Sequence, residues 1–462
     1  MRFPFAKVQF RSDGELHDPA ERQRALDMVR APGVTDVLLL SHGWNNDMAA
    51  AERLYEKLAE SLDEVRRPPS MRLAVIGVLW PSVRWAEPGL LAGGGLGADD
   101  GQALLRAEIE ETVEDAEIAT ALQALVPDLH SPGAQASFLD LLRRSLPAPA
   151  DGDEEPPPSL LTDGDPEAAF DLAAQPLPLG LLPEAPGGAA GDALGGGTAG
   201  GAAPGLSGGA GGGAGGGLNG GSGAGSGGGA SGGLGGGAGG GAGLPSFGDV
   251  LHAGRLLLNT TTYFTMKERA GTVGSVGVAR LMDDLAAQAP GVRRHLAGHS
   301  FGARLVTAAA QRHAPVHSVS LLQAAFSHYA LATDYSGTKD GLFRNVLSPG
   351  RLAGPMVITH TVNDRAVGIA YAIISRLAQQ NASSVGGPDD SYGGIGRNGA
   401  LRTPQVSAPP DELLPTTGEY DFRAGRVYNL RSDDFIHDHG SVTGREVANA
   451  MMQAMALSHR DG

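Results

Sequence analysis

Two kinds of apolar pattern alternate along the first third of the chain. Asp36-Val-Leu-Leu-Leu-Ser41 and Ala74-Val-Ile-Gly-Val-Leu-Trp80 are short unbroken apolar runs, the pattern of strands buried on both faces. Between them Leu54, Leu58 and Leu62 recur every fourth residue, which predicts a helix, and Asp47 stands where it can cap that helix. Strand, helix and strand in this order suit a parallel sheet, because parallel neighbours need a crossover. Beyond Trp85 a glycine loop leads to a helix expected over about 102–125, with Leu104, Leu105, Ile109, Val113 and Ile118 on its apolar stripe. A shorter helix is expected over about 135–146.

The same alternation returns in the last part of the chain. The pattern predicts helices over about 247–266 and 276–287, separated near Gly274, then a strand at 294–297 and a helix through about Ala310. Further strands are expected at 316–322, 356–361 and 426–430, and a closing helix at about 445–456.

Composition separates these two parts. Of the 71 glycines, 33 lie within the 57 residues from Gly187 to Gly243. Just before them, 151–184 holds nine Asp and Glu and no Lys or Arg. A tract so poor in large apolar side chains cannot bury enough surface to offset its ordering entropy. The expected organisation is therefore 1–147, a low-complexity insertion at 148–245 that is acidic and Pro-rich and then Gly-rich and disordered, and 246–462. The outer parts suit one α/β domain with a doubly wound, mostly parallel sheet, interrupted by this insertion. The glycines follow no three-residue period, which excludes collagen.

The net charge of −16 argues against nucleic acid as a partner, and the absence of cysteine excludes disulfides, thiol catalysis and cysteine-ligated metals. No signal-like N-terminal run and no stretch of eighteen apolar residues occurs, so a cytoplasmic protein without a membrane span is the expectation. Oligomeric state is not legible.

Gly298-His299-Ser300-Phe301-Gly302 fits the pattern G-x-S-x-G. The pattern has value only between a strand and a helix. Gly205-Leu-Ser207-Gly-Gly209 and Gly229-Ala-Ser231-Gly-Gly233 match it as well, but both lie in the glycine tract with neither element beside them. At Ser300 the expected strand ends immediately before and the helix opens immediately after. A serine there is a candidate nucleophile, and the Phe301 amide at the helix N-terminus is a candidate oxyanion donor. His42-Gly43-Trp44 closes the first buried strand and offers the Trp44 amide as a second donor.

A serine nucleophile needs a base, and the base needs an acid to orient it. Asp364, three residues past the strand at 356–361, is the preferred acid over Asp433 and Asp434. His439 is the preferred base over His437, because Gly440 allows a tight turn before the closing helix. His437-Asp438-His439 with Asp433 can also be read as metal ligands; with no H-E-x-x-H helix in the chain, that reading is set aside and no metal or cofactor is expected.

With these residues assembled, the chain resembles the α/β-hydrolase superfamily, and within it a group of poorly characterised bacterial α/β hydrolases. The resemblance rests on His42-Gly43-Trp44, Thr265-Met-Lys-Glu-Arg-Ala-Gly271, Gly298–Gly302, Asn363-Asp-Arg-Ala-Val-Gly368 and Asp438-His-Gly-Ser-Val-Thr-Gly-Arg-Glu-Val447. It covers about 36–85 and 250–458. It implies an eight-stranded sheet and a triad of Ser300, Asp364 and His439, and it brings no defined substrate. A carboxylic ester is the expected small-molecule substrate. An acyltransferase or thioesterase, or a non-catalytic scaffold that attaches through its glycine tract, remains open.

The helices of 102–146 are expected to form a cap over Ser300. His42, Trp44, His299 and Gln323 are expected to contact substrate. Ser327-His328 is open between pocket lining and packing, Arg304 is expected to brace the helix after Ser300, and Lys267-Glu268-Arg269 is expected to be a solvated face or an internal ion pair. Tyr392-Gly-Gly-Ile-Gly-Arg-Asn398 lacks the βαβ surroundings of a dinucleotide fingerprint.

Overall fold

The computed structural model describes residues 3–44, 48–82, 98–148, 153–175, 246–312, 315–378, 387–388, 390–408 and 411–459. The expected cap Asp47, the loop around Trp85 and the tract 187–243 lie outside the described residues.

Eight strands form one sheet, in the spatial order Phe5–Gln9 (β1), Leu73–Leu79 (β3), Asp36–Ser41 (β2), Arg293–His299 (β4), Ser318–Leu322 (β5), Met356–His360 (β6), Val427–Arg431 (β8) and Asp411–Glu412 (β7). Every pairing is parallel. Strands from both sides of 176–245 are interleaved, since β2 lies between β3 and β4, and the described residues flanking that stretch belong to one compact unit. Two of the strands, β1 and β7, have no counterpart in the apolar pattern. β7 has only two residues, and β1, with the charged Lys7 at its centre, is an edge strand.

Side-chain alternation divides the core into two layers. On β2, Val37 and Leu39 face one layer and Leu38 and Leu40 the other; on β6, Met356 and Ile358 oppose Val357 in the same way. One layer is closed by the helices Met48–Glu64 (α2) and Arg445–Ala456 (α13). Gly77 on β3 is required there, because a Cβ would lie 2.8 Å from the Tyr55 ring of α2.

The other layer is closed by Pro19–Val29 (α1), a long helix Phe247–Thr272 (α8), Ala279–Gln288 (α9), Phe301–Arg312 (α10) and Arg365–Leu377 (α11). The expected break at Gly274 is absent. A π-helical turn, Val273–Val278, joins α8 to α9 without leaving helical geometry. Gly274 serves close packing instead of a break, since a Cβ there would meet the Leu305 carbonyl of α10 at 2.1 Å.

The helix expected over 102–125 is two helices, Ala98–Thr112 (α3) and Ala116–Leu125 (α4), because Asp115 caps the second through the amides of Glu117 and Ile118. Pro132–Ser145 (α5) follows. The acidic segment, expected to belong to a disordered insertion from 148 onward, carries Ser159–Thr162 (α6) and Pro166–Ala174 (α7). It does not fold alone: Phe170 meets Phe138 of α5 with ring centroids 6.1 Å apart, and Leu161, Ala169 and Ala173 are buried in the common core. Helices α3, α5 and α7 all pack on α8, where Gly254 admits Leu105, Leu129 and Phe170. A buried ion pair, Arg255 Nε to Glu108 Oε1 at 2.7 Å, ties α8 to α3.

Among the described residues no helix is long and apolar enough to cross a membrane.

Candidate active site

The strand order reverses at β2, whose neighbours β3 and β4 precede and follow the long excursion of the chain. The carboxyl ends of β2 and β4 therefore open into a crevice of the kind where parallel α/β sheets place ligands. Ser41 of β2 pairs with Gly298 of β4, so His42-Gly43-Trp44 and Ser300 leave the sheet side by side.

Ser300 sits between β4 and α10 with φ 56°, in the left-handed region that a side-chain-bearing residue adopts only under constraint. The constraint comes from both sides. The Ser300 amide donates to Leu322 O at 3.0 Å, and the Ser300 carbonyl accepts from Ala303 and Ala325. Gly298 and Gly302 make the turn possible, since a Cβ on Gly298 would lie 2.2 Å from Gly302 O and one on Gly302 would lie 2.3 Å from Ser41 O. Gly43 is equally confined, with a Cβ there falling 2.5 Å from Ser300 Cβ. The loop after β2 is thus pressed against the serine.

Phe301 begins α10, so its amide is among the donors that a helix start leaves without an internal acceptor. The Trp44 ring packs on Phe301 and on Tyr263 of α8, at centroid distances of 5.6 and 6.3 Å.

The expected acid and base are bonded to each other. His439 Nδ1 lies 2.8 Å from Asp364 Oδ2, with Asp364 fully buried. Asp364 is also the N-cap of α11, its Oδ1 accepting from the Val367 amide at 2.9 Å. Burial opposes the charge of His439, but the Asp364 carboxylate outweighs it and holds the imidazole pKa above the ordinary 6.5. His437 is exposed and Asp433 is engaged elsewhere, accepting from Thr361 Oγ1 and the Val362 amide. Among the described residues no group of three or more His, Cys, Asp or Glu is placed to hold a metal ion.

Ser300 is linked to this pair through its neighbour. His299 Nε2 lies 2.7 Å from the His439 carbonyl, and the two rings are 4.7 Å apart.

The four residues expected to contact substrate have other attachments. Both nitrogens of His42 are used within the fold: Nδ1 pairs with Gly43 O at 2.9 Å and Nε2 accepts the Trp80 amide at 3.3 Å. Its ring stacks on Trp80, and burial pushes its pKa down to about 4, which keeps the ring neutral. His299, its pKa pushed by burial and by the nearby His439 down to about 3, anchors the loop that carries His439. Gln323 is fully buried and donates to Asp364. Only Trp44 keeps a partly exposed place beside the serine.

Arg304 braces α10, its Nε donating to Lys267 O at 2.9 Å. Lys267 is an internal ion pair, 2.8 Å from Asp153 and 3.4 Å from Glu155. His328 is buried and bonded to Asn398. The chain from Glu155 through Tyr371 to Tyr263, each step 3.1 Å, is not visible in the sequence. It depends on an acidic segment whose composition reads as disordered. Surface clefts of about 390 and 630 Å³ lie elsewhere, around Arg22 and Asp284 and around Asp411 and Tyr420.

No protein-family model, curated protein or solved structure matches the chain.

Proposed function

We propose that the protein is a serine hydrolase of the α/β-hydrolase kind that cleaves a carboxylic ester through an acyl-enzyme. The observation that carries this reading is the Asp364–His439 bond standing beside a serine held at positive φ on the end of β4. An aspartate that caps a helix and also binds an imidazole fixes the tautomer with the proton on Nδ1, which leaves Nε2 as the basic atom.

In this mechanism His439 Nε2 takes the Ser300 proton as Oγ bonds to the ester carbonyl carbon. The carbonyl oxygen becomes an oxyanion in reach of the Phe301 and Trp44 amides, where each preorganised donor is worth roughly 3–4 kcal/mol of barrier lowering. Collapse breaks the bond to the alkoxy leaving group, which departs with the proton from His439. Water, deprotonated by His439, then adds to the acyl-enzyme and releases the acid and Ser300. Asp364 stabilises the imidazolium formed in both steps without taking its proton. Helices α3 and α5, expected as part of a cap, pack on α8, whose Tyr263 ring meets those of Trp44 and Phe301 beside the serine.

The test is labelling with a fluorophosphonate, which phosphonylates an activated serine. Modification of the wild type at Ser300, lost in Ser300→Ala and in His439→Ala but kept in His437→Ala, is the expected outcome. An unmodified wild type refutes the reading.

A further inference from the structure

We propose that Gln323 is a positioning residue for Asp364, locked in place by the turn Gly393-Gly-Ile-Gly-Arg-Asn398; the proposal rests on the hydrolase reading of the site. Gln323 follows β5 as Ser300 follows β4, and it too is held in the left-handed region, with φ 42°. It is fully buried, and its backbone amide donates to Thr359 Oγ1 at 3.2 Å. This strained backbone turns the side chain toward the acid. Nε2 donates to Asp364 Oδ2 at 3.3 Å and to Gly396 O at 3.1 Å.

Oδ2 is also the oxygen that receives His439 Nδ1. With Val367 N on Oδ1, three donors fix the carboxylate, and Gln323 is the one that shares an oxygen with the base. A neutral donor on that oxygen limits how strongly the carboxylate draws the imidazole proton. It also keeps the carboxylate from rotating about its C–C bond.

The glycine-rich turn makes this arrangement possible. Short helix Ile395–Asn398 (α12) passes directly behind the acid. A Cβ on Gly396 would fall 2.5 Å from the Gln323 carbonyl carbon, and one on Gly394 would fall 2.2 Å from Val367 Cγ1 in the first turn of α11. The backbone of Gly396 bonds to both flanking strand exits, its amide to Ala324 O and its carbonyl to the Thr361 amide. Arg397 Nη1 donates to Val362 O at 2.7 Å and approaches Asp364 O at 3.5 Å. The turn therefore supports both Gln323 and the acid loop, a role that a dinucleotide-like spelling conceals. The other titratable or charged groups around the pair are His299 on β4, Arg397 on α12, and Asp433 and Asp438 in the loop after β8.

The experiment measures the His439 pKa by NMR titration of histidine Cε1–H in the full chain, assigned with His439→Ala, alongside the pH dependence of fluorophosphonate labelling. Gln323→Glu, which places a second carboxyl on Asp364, is expected to raise the His439 pKa by about one unit. Gln323→Met, of equal length without the donor, is expected to slow labelling about tenfold. In the wild type, the Gln323 side-chain amide resonance should titrate with the His439 midpoint, a readout that needs no variant to fold. A Gln323 amide that ignores His439, or variants with an unchanged His439 pKa and labelling rate, overturns the proposal. A wild type that is not labelled but shows the coupled titration overturns the hydrolase reading and leaves the positioning role standing.

Discussion

His299 Nε2 reaches the backbone carbonyl of His439 at 2.7 Å, so the residue before the candidate nucleophile tethers the loop that carries the candidate base. Burial and the nearby His439 push the pKa of this ring down to about 3, and its Nε2–H donates to the carbonyl. One side of the crevice thereby sets the position of the other. His299→Phe should keep the fold, measured by circular dichroism, while lowering hydrolysis of short p-nitrophenyl esters by roughly 100-fold through a misplaced base. Activity equal to wild type would show that the loop is held without His299.

Gly43 should tolerate no side chain. Gly43→Ala puts a methyl 2.5 Å from Ser300 Cβ, which must displace either the loop or the serine. Loss of fluorophosphonate labelling with a nearly unchanged melting temperature is the expected pair of results. Normal labelling would mean that the contact yields freely.

The pH profile follows from the raised pKa of His439. The imidazole is a base only when unprotonated, so labelling should rise with pH to a midpoint above the 6.5 of free histidine. The same shift has the opposite sign for stability. The native state binds this proton more tightly than the unfolded chain, so the Asp364–His439 pair contributes fully below about pH 6.5 and loses its contribution as pH rises through the native pKa. A labelling midpoint below 6.5 would contradict the ion-pair assignment.

Glu154 and Glu155 are buried beside Lys267, and burial raises their carboxyls to about 8 and about 7, with Asp153 adding to the rise and Lys267 drawing against it. Carboxyls that hold protons more tightly in the native state stabilise it below the unfolded value of 4.5, and this contribution fades as pH climbs through 7 to 8. Glu154→Gln should therefore raise the melting temperature at pH 9 and leave it nearly unchanged at pH 5. Equal effects at the two pH values would show that Glu154 does not titrate there.

Two deletions separate the tract 187–243 from the folded acidic segment before it. Replacing 187–243 by a short Gly/Ser linker should leave the melting temperature within a few degrees, because loop closure changes by only ~0.6 kcal/mol per doubling of length. Deleting 153–175 should lower it strongly, since that removes Phe170 from the α8 layer and leaves Lys267 buried without its carboxylates. A large fall in the first deletion would mean that the glycine tract carries folded structure.

What the sequence determined is the part governed by local periodicity. Unbroken apolar runs marked β2 and β3, because a strand buried on both faces has no polar side to show, whereas β4, Arg-Arg-His-Leu-Ala-Gly-His, was legible only in part, at 294–297. The closing helix α13, Arg445–Ala456, lies where the sequence placed it, at about 445–456. Glycines two residues either side of Ser300, and a histidine just after the last long strand, were enough to nominate Ser300 and His439 before any geometry was known. Tertiary structure decided what depends on partners distant in the chain. Glu155 reads as part of a disordered tract until Lys267 and Tyr371 enclose it. Gln323 and His299 read as pocket residues, yet their side chains turn toward Asp364 and the His439 carbonyl. Gly274 and Gly396 read as breaks or loops, and each instead marks a backbone crossing too close for a Cβ. Periodicity records which face of an element is buried; only the packed chain records what each buried polar atom meets there.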